Sequence, residues 1–152
     1  MKSNYILYIL MRTDLPSMQS GRAVAQASHA SNAFIKEWGN LKGKVHRHDV
    51  NEWSNQTLQG FGTVVVLSMT KEQIETVLKS NIIPHGRVID PDYVVSVSSE
   101  LKPYLNSRKI KIIDDENNPS RILLSREEMT CAYIFGDKET LKPLLGEYPL
   151  YA

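Results

Sequence analysis

Residues 12–34 read Arg12-Thr13-Asp14-Leu15-Pro16-Ser17-Met18-Gln19-Ser20-Gly21-Arg22-Ala23-Val24-Ala25-Gln26-Ala27-Ser28-His29-Ala30-Ser31-Asn32-Ala33-Phe34. This stretch joins a strand to a helix. Upstream, Tyr5 to Met11 is a nearly unbroken apolar run of strand length, the pattern of a strand covered on both faces. Downstream, Pro16, Ser20 and Gly21 carry turn and cap chemistry, which predicts a helix starting at Ser20. On that helix Ala23, Val24, Ala27, Ala30, Phe34, Ile35 and Trp38 form an apolar stripe expected to pack on the sheet. Arg22, Gln26 and His29 follow the i, i+4, i+7 rule and project together from another face. They begin at a helix N-terminus that follows a strand, where free N–H groups and a crevice suit an anion or an ester carbonyl.

Working outward, Thr63 to Leu67 is β-branched and continuous and reads as a second central strand. Thr70 and Gln73 stand three residues apart as a capping box, opening a helix with Ile74, Val77 and Leu78 on its buried face and ending near Ser80. From Asn81 onward Pro84, Gly86, Pro91 and Pro103 predict irregular structure, with a short strand near Tyr93 to Val97 and a brief helix from Ser98 or Ser99. Lys109 to Ile113 reads as a third sheet strand, entering the turn Asp114 to Pro119. Met129 to Phe135 reads as a fourth, stopped by Gly136, and Asp137 caps a last helix holding Leu141, Leu144 and Leu145. A weaker helical signal lies around Trp53, within 50–58. The order predicts one α/β domain over 1–152, a small mixed sheet of about four strands covered on both sides.

A chain of 152 residues buries about 70% of its unfolded surface and needs no covalent staple. Its single cysteine, Cys131, permits no internal disulfide and is expected to serve as packing within an apolar strand. The apolar run at Tyr5 to Met11 is too short for a membrane span and has the wrong flanks for a secretory signal, so a cytoplasmic setting is expected. Eighteen basic against 17 acidic side chains give a net charge of +1, so the chain is not a general polyanion binder. Any contact with RNA must be local. Lys42, Lys44, His46, Arg47 and His48 form the best basic cluster, in an expected loop after the first helix; it is either a solvated loop or a phosphate-contacting patch. His46 and His48 lack an evident third partner for a metal.

Arg-Thr-Asp-Leu followed by Ser-Gly-Arg-Ala-Val-Ala-Gln-Ala-Ser-His-Ala closely resembles the signature of the type II (archaeal and eukaryotic-type) peptidyl-tRNA hydrolases. That signature reads Gly-Lys-x-Ala-Ala-Gln-x-x-His-Ala; Gly21, Ala25, Gln26, His29 and Ala30 match it, while Arg22 stands where the family has lysine. The resemblance is strong over 5–35, returns at 63–67 and 130–145, and is poor over about 84–126. It implies an α/β/α fold with a four-stranded mixed sheet, peptidyl-tRNA as partner, a habit of dimerisation, and hydrolysis of an ester without metal or other cofactor.

Under this resemblance Arg22 supplies fixed charge to an oxyanion or phosphate, Gln26 orients water or substrate, and Thr130 positions one of them through its hydroxyl. His29 is either a proton relay or a group fixed by packing. Asp114 or Asp115 stands in the region of the family's strand-end aspartate, as general base or water-orienting group; the same residues also read as a plain exposed turn. Lys42, Lys44 and Arg47 are the candidates for contacting tRNA. The alternative reading is a non-catalytic relative that binds tRNA or another RNA end.

Overall fold

A computed structural model describes residues 4–16, 18–39, 45–79, 83–105 and 108–152. The elements run β1 (Tyr5–Arg12), α1 (Ser20–Trp38), α2 (Arg47–Ser54), β2 (Val64–Met69), α3 (Lys71–Leu78), β3 (His85–Ser98), a 3-10 helix (Ser99–Tyr104), β4 (Lys111–Asp114), β5 (Arg121–Asp137) and α4 (Lys138–Leu145). They build one mixed sheet in the order β2-β1-β5-β3, with β4 also paired to β5. β1 runs parallel to β2 and antiparallel to β5, with Met11 opposite Ser68 on one side and Cys131 on the other.

The chain forms two compact units. The first comprises the residues up to Val88 together with those from Thr130 on; the second is Ile89–Met129. In the first, alternate residues of β1 (Leu7, Ile9, Met11) and β5 (Cys131, Tyr133, Phe135) point to one face, as strand pleating requires, and meet Ala23, Ala30 and Phe34 of α1 and Val50 and Trp53 of α2. Phe34 is the hub, with its ring centroid 4.8 Å from Phe135, 5.5 Å from Trp53 and 5.7 Å from Tyr133. On the opposite face Leu145 of α4 borders a pocket with Ile6, Tyr8, Val65 and Leu67. Both expected caps form: Thr70 and Gln73 exchange reciprocal bonds at α3, and Asp137 Oδ1 accepts from Glu139 N and Thr140 N at α4.

In the second unit, β4 pairs antiparallel with the first half of β5, from Lys111 opposite Ser125 to Asp114 opposite Ile122. Arg121 closes on Ser96, donating to its Oγ at 3.0 Å and its carbonyl oxygen at 2.7 Å.

Four expectations change. The third strand in chain order is β3, a continuous 14-residue strand rather than a short one within irregular chain, and Lys111–Asp114 is the fourth. Because β3 ends the strand order, Pro91 is tolerated: half the backbone groups of an edge strand need no ladder partner. β5 begins at Arg121 and continues past Gly136 to Asp137; Arg126 and Glu128 had masked its first half, and they form an ion pair at 3.3 Å that lets Glu128 be buried. Finally, Val24 and Ile35 are exposed, not part of the packed stripe, and Arg47 and His48 lie in α2 rather than in a loop.

Candidate active site

At about 100° per residue, the packed stripe of α1 centres on Ala23, Ala30 and Phe34. Relative to Ala23, Gln26 then lies about 60° to one side, Arg22 about 100° and His29 about 120°, while Val24 and Ile35 lie about 100–120° to the other. The burial follows this order: Gln26 is 6% exposed, Arg22 is half-buried and His29 is exposed. Three polar residues on one spacing therefore sit at three depths.

Gln26 is held against β5. The Thr130 hydroxyl donates to Gln26 Oε1 at 2.7 Å, and Cys131 Sγ donates to the Gln26 carbonyl at 3.4 Å. Thr130 is fully buried, so its bond to Gln26 is shielded from water. With Oε1 held by Thr130, the donor function of Gln26 lies in its Nε2 hydrogens. Burial pushes the Cys131 thiol up to about 12, which removes it as a nucleophile at neutral pH.

Arg22 is one helical turn nearer the N-terminus of α1. Gln19 caps the helix without a side-chain bond, Ala23 N makes the first bond back to Gln19 O, and no acidic residue occupies the first turn. The positive end of the helix dipole is thus reinforced by Arg22 and not neutralised within that turn, an arrangement that favours an anion.

A brace missed by the sequence reading fixes the loop between β1 and α1. Arg12 is 5% exposed and binds Asp14 with two bonds, Nε to Oδ1 at 2.8 Å and Nη2 to Oδ2 at 3.1 Å. Asp14 Oδ2 also accepts from Lys71 N at the start of α3, and Thr13 N donates to Met69 O. The carboxyl ends of the parallel strands β1 and β2 are thereby stitched together where an open α/β sheet presents its crevice. The Arg12 hydrogen bond, aided by the Lys71 N–H, holds the Asp14 carboxyl below its usual range. The signal available in sequence was an arginine and an aspartate flanking Thr13 directly after an apolar strand.

Of the other candidates, His29 is exposed, and its side chain forms no hydrogen bond among the described residues. Asp114 lies in the second unit and takes Lys102 Nζ at 2.7 Å; Asp115 accepts from Asn117 N at 3.0 Å, a turn-forming bond. Arg47 is exposed at the start of α2, while Lys42 and Lys44 lie outside the described residues. Among the described residues no cluster of His, Cys, Asp and Glu has the arrangement of a metal site.

Residues 5–104 match the family model described as Peptidyl-tRNA hydrolase PTH2. The chain belongs to that family. No curated protein matches the chain in a sequence comparison. The matched residues of this PTH2-family chain include the Arg12–Asp14 brace, Arg22, Gln26 and His29; they stop before Asp114, Asp115 and Thr130. Thr130 joins the group through its bond to Gln26.

Proposed function

We propose that this chain hydrolyses the ester bond of peptidyl-tRNA, releasing peptide and free tRNA, without a metal ion. Family membership supports the reaction class, and the observation that carries the assignment to this site is the buried Thr130–Gln26 bond one turn from Arg22. In this reading Gln26, oriented by Thr130, donates from its amide to the attacking water or the ester carbonyl. The helix N-terminus and Arg22 stabilise the tetrahedral oxyanion. Arginine remains protonated in proteins, so Arg22 acts by charge and hydrogen bonding and does not take the water's proton.

The proton acceptor is proposed at Asp114 or Asp115 on the family resemblance. One of the single Asn variants should be severely impaired and the other nearly normal; two mild effects would remove both. Lys42, Lys44 and Arg47 are proposed to contact tRNA, so their replacement by alanine should weaken binding and flatten its salt dependence. The second reading, a non-catalytic tRNA-binding relative in the cytoplasm, is favoured by arginine in the lysine position. Incubation with labelled peptidyl-tRNA, with and without chelator, separates the two: cleavage in both supports the hydrolase, and binding without cleavage supports the relative.

A further inference from the structure

On the face of the sheet opposite α1, a pocket of about 590 Å³ lies between the strands β1 and β2 and the helix α4. Its size is within the roughly 300–1,000 Å³ of small-molecule sites. Ile6, Val65, Leu67, Leu145 and Leu150 give it aliphatic walls, and Tyr8 and Tyr148 add two rings. Three polar groups of the lining are unengaged: Lys138, Lys142 and the Tyr8 hydroxyl have no side-chain hydrogen-bond or ion-pair partner among the described residues.

The two lysines are placed at a cost to the helix that carries them. Lys138 is the first residue of α4, where the dipole disfavours a cation, and Lys142 follows at i+4, a spacing at which like charges repel. They stand about 6 Å apart along the axis on the stripe that leads to Leu145. Glu139 is the one carboxylate among the described residues lining the pocket, so with the two lysines these leave a net single positive charge. Partial burial, with the nearby charge of Glu139, raises the Tyr8 phenol, which therefore keeps its proton as a donor.

We propose that this pocket binds a small organic monoanion, a carboxylate on an unbranched aliphatic body, with its head on Lys138, Lys142 and Tyr8 and its tail along Ile6, Val65 and Leu67. The single net charge favours a monoanion over a dianionic phosphate ester, and the aliphatic walls favour a hydrocarbon body. The site goes beyond the hydrolase reading and shares no residue with it.

The probe is decanoate below its micellar concentration, titrated into the isotope-labelled full chain and followed by amide NMR, with decanol and inorganic phosphate as controls. The expected result is saturable shifts centred on Tyr8, Val65, Leu67 and Leu145, with decanol at least about tenfold weaker. Lys138→Ala/Lys142→Ala, which alters only exposed side chains, should weaken decanoate about tenfold or more while leaving the remaining spectrum native. Absence of a saturable response, equal binding of decanol, phosphate binding as tightly as decanoate, or unchanged affinity in the double variant would each overturn the proposal.

Discussion

The hydroxyl of Thr130 donates a 2.7 Å hydrogen bond to Oε1 of Gln26 across 104 residues of sequence, and both side chains are buried. This bond fixes the amide of the one buried polar residue of α1. Thr130→Val keeps the shape but removes the donor of this buried hydrogen bond, and should cost about 1 kcal/mol of stability or more. Thr130→Ser should restore most of it. Urea denaturation of the three proteins checks the order; a valine variant as stable as the parent would mean that the bond contributes little.

Gly86 leaves no room for a side chain. A Cβ there would lie 2.5 Å from the Tyr133 hydroxyl, and that ring cannot swing away, because Trp38 Nε1 donates to the hydroxyl at 3.1 Å and the hydroxyl donates to Glu37 at 2.8 Å. Gly86→Ala is therefore expected to destabilise by about 1–3 kcal/mol, read as a lowered denaturation midpoint. Pairing it with Tyr133→Phe, which removes the atom nearest the new methyl, should recover part of the loss.

Acid should weaken the brace at the end of β1. The folded Asp14 carboxyl titrates below its unfolded value, so its contribution is complete above the unfolded pKa of about 4 and disappears as pH falls through the folded value. The stability difference between the parent and Asp14→Asn should be constant from pH 7 to about pH 5 and then shrink. A difference that grows on acidification would contradict the ion pair with Arg12.

Cys131 should be chemically silent in the folded protein. With its thiol raised to about 12 by burial, only about one molecule in ten thousand carries a thiolate at pH 8. Iodoacetamide should leave the native chain unmodified and label it readily in urea; rapid native labelling would place the thiol in a far more open setting.

The parts of the fold that were legible carry their signal locally. The caps at Thr70 and Asp137 need only residues two or three positions away, and the α1 stripe repeats within one helix. β3 was obscured because Pro91 argues against a strand unless its place at the sheet edge is known, and β5 because the polar run Arg126 to Glu128 interrupts its apolar pattern. The site divides the same way. Gln26 and Arg22 stand out from spacing, whereas the burial of Gln26 depends on Thr130, and the shielding of Arg12 depends on a brace reaching Lys71.

The most direct test is the rate of peptide release from labelled peptidyl-tRNA, measured at single turnover for the parent, Arg22→Lys and Arg22→Ala. The parent should cleave equally with and without chelator, Arg22→Lys should retain much of that rate, and a correctly folded Arg22→Ala should lose about 100-fold or more, as when other oxyanion donors are removed. No cleavage by the parent would contradict the assignment of the reaction, and near-parental cleavage by Arg22→Ala would contradict its placement at the start of α1.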